Sequence, residues 1–549
     1  MTDMQTIPTM ETDVNTRVLV IGGAWSGART AAELVDQGYG VTLVEEAPTL
    51  AKAREASSFY SRLLPDRDTP LLETVQKVED MDHIELLTSA SLLHVDGLPG
   101  NFRVKLNVGG QIKDLDVGAV VVATDIEARP AFQTYGLTPG DKVVGLSELE
   151  STLQSRPPQD AKVAFLAGFC DDGSPLSMER IMRSALQVQE GGSQAYVYVR
   201  NIKVAAEGLE KLYKTTRDKG VLYFKLQDKP ELDGDGSSLV FLDPVLSQQV
   251  ELKPDLMVVE DQLAANHLNQ RLAELLRIDL GPGNFIQENN VHRFPVHSNR
   301  EGIFVAGGSR DALSLPDTLA DVGNVALEVA RFLNDGHKSV PEHMGIVDRE
   351  KCCFCLTCYR CCPHGAITWE DKPVISSIAC QGCGICASEC PQDAIQIVSF
   401  EDDTIKQAIK AHLAAQAEGP TIIAFCCENS SLEAGHMAQT FNRPLPAGLK
   451  MIKIPCAGKV DLDYIFTAFL NGADGVMVLS CHPGNCKSVR GNTFASWRVD
   501  NAYRMLDNAG MNHSRLLTAS LASNMDVEFS ELATRMEASL NELGPSPLK

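Results

Sequence analysis

Two cysteine runs constrain this chain more than any other feature. The first is Cys352, Cys355, Cys358 and Cys362-Pro363; the second is Cys380, Cys383, Cys386 and Cys390-Pro391. Each reads C-x2-C-x2-C-x3-C-P, the bacterial pattern for a pair of [4Fe–4S] clusters in which the fourth cysteine of each run serves the other cluster. The spacing predicts one cluster on Cys352, Cys355, Cys358 and Cys390, and a second on Cys380, Cys383, Cys386 and Cys362. Two intervening residues let a tight loop carry three thiolates around one cubane, and the proline turns the chain away after the fourth. Crossed ligation ties together a unit with almost no core of its own. Structural zinc also uses Cys-x2-Cys, but four ligands per ion do not require a doubled run of eight with both prolines. Cys353 and Cys361 are left over and read as packed or shielding thiols.

The rest of the composition bounds compartment and partners. The chain has 549 residues, enough for about three or four domains. Of its 16 cysteines, all but Cys170 lie between Cys352 and Cys486 at metal spacings, which predicts a reducing, cytoplasmic setting. Cys170 reads as a buried thiol. A net charge of −23 argues against nucleic acid and fits a basic protein partner. Residues 1–16 read as a polar tail without the apolar core of a signal peptide. No apolar run reaches the roughly 18–20 residues of a spanning helix, so membrane contact is expected only through a partner.

The fold class expected is α/β. It comprises a two-dinucleotide-binding flavoprotein fold, a two-[4Fe–4S] ferredoxin module (α+β) and a C-terminal α/β iron–sulfur domain. Residues 17–155 and 261–335 are expected to form the FAD-binding Rossmann-like domain. The strand RVLVI runs into Gly22, Gly23, Ala24, Trp25, Ser26 and Gly27, then a helix, then a strand ending in Glu45. In such a unit the glycines let backbone approach a pyrophosphate at the helix start, and the acid takes ribose hydroxyls. Ala24 stands where the fingerprint has its second glycine. A later strand ends Ala123-Thr124, where flavoproteins of this type continue with glycine; here Asp125 follows, and a carboxylate is unfavourable beside a pyrophosphate. The segment GIFVAGG, with Gly307 and Gly308, then Asp317 and a helix, is expected to complete the FAD site. Residues 156–260 read as an inserted α/β domain. Its turn Gly168 to Gly173 lacks the glycine pattern and carries Asp171 and Asp172, so no nicotinamide site is expected there.

Residues 341–400 hold the ferredoxin module, 401–419 a linker helix, and 420–543 the terminal domain. Three strands there end in cysteine: TIIAF into Cys426-Cys427, KMIKI into Cys456, and GVMVL into Cys481 and Cys486. Parallel strands share one C-terminal edge, so Cys427 (or Cys426), Cys456, Cys481 and Cys486 can converge on a [2Fe–2S] cluster or zinc. His482 reads as a neighbour of that site rather than a ligand.

From Arg17 to Leu543 this order of parts resembles the HdrA family, and the terminal motifs FCCEN, CAGKVD and CHPGNC resemble MvhD, the small iron–sulfur protein linking hydrogenase to heterodisulfide reductase. The fusion is the arrangement of the QmoB family, subunits of the quinone-interacting membrane-bound oxidoreductase. The resemblance implies an oxidoreductase component carrying FAD and clusters. It would relay electrons between adenylylsulfate reductase and a membrane quinone-reactive subunit, beside an HdrA-like flavoprotein partner and peripheral to the inner membrane. Alternatives are a soluble bifurcating HdrA-type subunit fed by hydrogenase or formate dehydrogenase, and a docking scaffold whose clusters carry all current. Several departures stand out. No additional iron–sulfur domain is visible before Arg17. Ser177 to Ala185 replaces a cysteine-rich segment, and Ser430 stands where the first terminal motif usually has a second cysteine.

Overall fold

The computed structural model of the chain describes residues 8–55, 78–153, 155–170, 173–243, 245–286, 290–414 and 418–548. Asp171 and Asp172, and Gln154 at the start of the proline-containing linker, lie outside the described residues.

The first domain is built on a five-stranded sheet in the order Ile303–Val305, Ala119–Val122, Val18–Ile21, Val41–Val44, Ile84–Leu87, all pairs parallel. Its strands are short and wholly apolar or nearly so, because both faces are covered. One face carries the helices Trp25–Asp36 and Leu315–Leu333, which share a core with Val18, Val20, Val121 and Phe304. The other carries an antiparallel meander, Ala90–Leu98, Asn101–Val108 and Gln111–Val117, which buries Leu92, Phe102 and Leu106 against Leu19 and Val120. The long helix starts at Ser314, whose hydroxyl oxygen accepts from the Asp317 amide, with Pro316 in its first turn.

The second sheet runs Val143–Gly145, Leu256–Val259, Lys162–Ala167, Gln194–Val199, Leu222–Lys225, also parallel. It begins ahead of the proline linker, earlier than the expected boundary at 156. Leu146, Leu149 and Leu153 follow one helix face and bury in this second core, so the hydrophobic spacing outweighs the polar linker as a boundary signal. An antiparallel ribbon, Glu127–Pro130 with Asp261–Ala264, joins the two units.

Thr9–Asp13 is not a free tail. It pairs antiparallel with His337–Pro341, the segment leading into the ferredoxin module. That module has two small ribbons, Gly345–Val347 with Ile395–Ile397 and Ile367–Trp369 with Pro373–Ile375, and two short helices, Thr357–Cys361 and Ile385–Ser388.

The terminal domain is a four-stranded parallel sheet ordered Leu449–Ile454, Ile422–Cys427, Gly475–Ser480, Leu516–Ser520. The fourth strand adds to the three that the sequence marked by their cysteine ends. The helix Asp402–Ala414 is part of this domain rather than a spacer, since Ile405 and Ile409 bury in its core. Among the described residues no helix is long and apolar enough to cross a membrane.

Candidate iron–sulfur and flavin sites

The two ferredoxin runs fold so that the fourth cysteine of each approaches the first three of the other. Cys352, Cys355, Cys358 and Cys390 line one small cavity, which Cys353 also touches. Phe354 and Leu356 take left-handed backbone (φ 57° and 58°), winding the loop tightly enough to turn successive thiols inward. Cys362 lies close enough to Cys380, Cys383 and Cys386 to act electrostatically on all three. Burial raises the thiols of Cys380 and Cys358 to about 11 and pushes Cys383 and Cys386 up as well. Thiols this reluctant to ionise are drawn into the thiolate form by a bound metal, with release of protons. The crossing cysteines have matching donors: Ala366 N–H lies 3.4 Å from Cys362 Sγ, and Ala394 N–H 3.3 Å from Cys390 Sγ. Such hydrogen bonds to sulfur help set cluster potentials. Cys361 stands apart; its thiol lies 3.5 Å from the Cys358 carbonyl oxygen, and burial raises it to about 12.

The terminal sheet gathers its cysteines at one edge. Cys427, Cys456, Cys481 and Cys486 form one buried group, with Cys427 Sγ 3.8 Å from Cys481 Sγ. Cys426, one residue earlier on the strand, faces the opposite core among Ile422, Ala424 and Leu479, as period-two alternation requires. Hydrogen bonding from Cys456 and Cys481 lowers Cys486 to about 3. Gly491 closes over the group: a Cβ there would fall 2.2 Å from Cys456 Sγ and 3.3 Å from Cys486 Sγ. Ser430 Oγ is buried nearby, beside the Cys481 thiol. His482 turns away, its Nε2 lying 3.4 Å from Met525 Sδ. Among the described residues no three or more His, Cys, Asp or Glu side chains are grouped to hold a metal ion. Four buried thiols at one sheet edge are a donor set suited to an iron–sulfur core or to zinc.

Cys383 of the ferredoxin module packs against this terminal group. The junction is held by charge. Arg498 donates to Glu389 Oε1 at 2.6 Å and to the carbonyls of Gly458 and Val460 at 2.8 Å. Lys459, only 1% exposed, pairs with Asp402 within the terminal domain at 2.6 Å, and its carbonyl accepts from Ser388 Oγ of the ferredoxin module at 2.7 Å. The flavoprotein domain reaches both centres. Asn299 Nδ2 donates to the Pro363 carbonyl at 2.9 Å, and Asn290 Nδ2 to the Cys486 carbonyl at 2.8 Å. Arg300 is buried beside Gly365; its Nη1 donates to the Leu276 carbonyl, and its Nε has no partner among the described residues. Burial lowers this guanidinium to about 10, and the nearby Cys362 pulls it the other way. A cavity of about 510 Å³, lined by Arg277, Arg360 and Arg490, opens beside Cys362. None of Arg300, Asn299 or Asn290 carries a local motif; only the fold brings them to the clusters.

At the first dinucleotide turn, Gly22 takes φ 108° and packs on the Ala123 carbonyl, while a Cβ on Gly27 would fall 1.7 Å from the Gly22 carbonyl oxygen. Both glycines are therefore required by backbone crossings. Ala24 is buried at the helix start. Glu45 accepts from Gly23 N–H at 2.6 Å and from Ala47 N–H at 2.8 Å. Thr124 donates to Asn269 Oδ1 at 2.7 Å. Gly307 and Gly308 follow the return strand, and Gly308 packs tightly on the Asp125 backbone. Asp317 is exposed, and its carboxylate accepts from the Ser314 hydroxyl in the helix cap. Asp125 occupies the helix start. Its carboxylate accepts from Trp25 N–H at 2.8 Å, more weakly from Ser26 N–H at 3.4 Å, and from the Ser26 hydroxyl. The residues fit FAD at its ribose, through Glu45, and in the glycine cradle; at the pyrophosphate they fit only with the Asp125 carboxylate moved aside.

The second unit has a comparable arrangement. Glu260 accepts from Gly168 N–H at 2.7 Å and from the Tyr135 hydroxyl at 2.6 Å. Cys170, half-buried beside it, is raised to about 12 by burial and by that carboxylate. Where the Ser177 to Ala185 segment lies, Arg180 is 1% exposed and pairs with Glu150 and Asp261 at 2.9 and 2.7 Å.

Together the parts define an iron–sulfur electron-transfer component built on a dinucleotide-binding fold. Comparison with known proteins carries this further. The family described as methyl-viologen-reducing hydrogenase, delta subunit, matches residues 422–544, and a 4Fe–4S binding domain matches residues 373–396. The A-type subunit of ferredoxin:CoB-CoM heterodisulfide reductase from Methanosarcina mazei is 23% identical over 79% of this chain and 58% of its own length. The A-type subunit of the ferredoxin/F(420)H(2)-dependent CoB-CoM heterodisulfide reductase from Methanosarcina acetivorans is 22% identical over 96% of this chain and 80% of its own length. The chain thus spans little more than half of the first of these relatives. Thioredoxin reductase of Lactococcus lactis is similar over 58% of this chain and 100% of its own, at 13% identity and TM-score 0.40. The chain is HdrA-like over most of its length, carries a 4Fe–4S binding domain, and has a hydrogenase-delta-type domain at its C-terminal end.

Proposed function

We propose that this chain is an electron relay in a QmoABC-like complex, between adenylylsulfate reductase and a membrane quinone-reactive subunit, held at the cytoplasmic membrane face by its partners. The observation that carries the relay is the packing of Cys383 against Cys427, Cys456, Cys481 and Cys486, which puts a ligand of one predicted centre against the thiols of the next. The two [4Fe–4S] centres take the crossed cysteine sets, and the terminal four thiols take a [2Fe–2S] centre. FAD, when bound, supplies the exchange between two-electron and one-electron chemistry. The protein's part is to orient and insulate. Asn299 and Asn290 fix the flavoprotein domain against both cysteine modules, Arg498 and Lys459 lock the modules together, and burial keeps water from the terminal thiols. A hydrogenase-linked HdrA-type subunit is the second reading, favoured by the delta-subunit match over 422–544.

The test is iron and flavin content per chain after anaerobic purification, with EPR of the reduced sample. About ten irons with two cluster signatures and one FAD support the full relay. About eight irons remove the terminal centre. Co-purification with a quinone-reactive membrane protein supports the first reading, and with a hydrogenase the second.

A further inference from the structure

We propose that Asp125 is a built-in competitor for the cofactor's pyrophosphate, so that FAD enters only when this carboxylate leaves the start of the helix Trp25–Asp36. The inference rests on the FAD reading of the first domain. Amides at a helix start, backed by the helix dipole, form a ready anion site. In this chain the anion is already present and covalently attached. Asp125 is 5% exposed and takes both the Trp25 and Ser26 amides and the Ser26 hydroxyl.

Three further observations point the same way. The cavity at this turn, lined by Gly22, Ala24, Glu45, Thr124, Asp125 and Asn266, holds only about 80 Å³, against roughly 300–1,000 Å³ for ordinary cofactor pockets. The Asp125 backbone packs against Gly308, so closely that a Cβ there would lie 2.9 Å from Asp125 Cα and 2.6 Å from Ile126 N. Rotation of the side chain clears the helix start without disturbing that packing. The second unit repeats the device: Glu260, just past the strand beside Lys162–Ala167, accepts from the turn amide of Gly168. There the carboxylate is also pinned by Tyr135, which makes that turn the more firmly closed of the two.

The like-charge cost makes occupancy exclusive. A pyrophosphate and a buried carboxylate cannot share the same amides, and at a few ångströms their repulsion is large. Asp125 thus stabilises the flavin-free form by capping the helix and weakens the flavin-bound form.

The test uses full-length, cluster-loaded protein, titrated calorimetrically with FAD, ADP and adenosine. Asp125→Asn keeps an acceptor for the helix amides and removes the charge; Asp125→Gly removes both and serves if the first variant does not fold. The expected result is a fall in Kd of about tenfold or more for FAD and ADP, and an unchanged Kd for adenosine, which has no phosphate. Equal or weaker FAD and ADP binding by a variant with full iron content overturns the proposal, leaving Asp125 as a structural cap only. A parallel gain for adenosine also overturns it, because the effect is then on the pocket and not on the phosphates. No binding of FAD, ADP or adenosine by any form overturns the flavoprotein reading itself, and the proposal with it.

Discussion

Gly491 shows how little room the terminal thiols leave. A methyl group there meets Cys456 Sγ at 2.2 Å, so Gly491→Ala is expected to cost the terminal centre about two irons per chain while the ferredoxin signals persist. Iron analysis with EPR checks this. Arg300 acts at the same scale. A buried guanidinium near Cys362 favours the reduced, more negative cluster, so Arg300→Met is expected to lower that cluster's potential by on the order of 60 mV, a tenfold effect for one electron. An EPR-monitored redox titration reads the shift. Arg180 is structural: Arg180→Met leaves Glu150 and Asp261 buried without their cation and is expected to cost about 3–5 kcal/mol in denaturant unfolding. The cysteines were legible in the sequence because iron–sulfur ligation is written in local spacing. Arg300, Arg180 and Glu260 were not, because each owes its role to partners far along the chain. Cys427 and Cys426 could not be separated until the strand fixed which of the two faces the edge.

At the scale of elements, apolar runs marked the sheet strands well. The errors fell on short or polar elements whose partners are distant. Thr9–Asp13 is polar and mostly exposed, and only its pairing with His337–Pro341 makes it a strand. Leu516–Ser520 lies at a sheet edge, and Thr518 and Ser520 interrupt its apolar run. The helix Asp402–Ala414 looked like a spacer because it buries little beyond Ile405 and Ile409. That helix also carries Asp402. Burial pushes the Asp402 carboxyl up, but hydrogen bonds from Gln396, Lys459 and Tyr464 outweigh it and hold it below the usual carboxylate range. Its contribution to stability is therefore present above the unfolded value, near pH 4, and lost as pH falls through the folded value. Asp402→Asn is expected to lower stability at neutral pH and to flatten the acid limb of a stability profile measured by chemical denaturation.

Across the whole molecule, the ferredoxin module sits where the other domains meet. Its second cysteine set touches the flavoprotein domain through Asn299 and the terminal domain through Cys383. Crossed ligation makes a sharp prediction here. Cys362→Ser is expected to abolish the centre on Cys380, Cys383 and Cys386 and interrupt the relay to the terminal domain, while the centre on Cys352, Cys355, Cys358 and Cys390 survives. Loss of the other EPR signal instead would refute the assignment. The module order was readable from sequence, whereas the contacts that join the modules depend on tertiary placement.

The return of the chain to the first sheet also dictates an order of assembly. Ile303–Val305 completes a sheet whose other four strands end at Val122, and the whole second unit is spooled out in between. During synthesis the second unit has all its strands by Val259, while the first waits with an open edge beside Ala119–Val122 until residue 305 has left the ribosome. Non-local pairings of this kind form late and leave strand edges exposed. The nested unit is the one placed to fold first, and the cradle for the dinucleotide closes only after it.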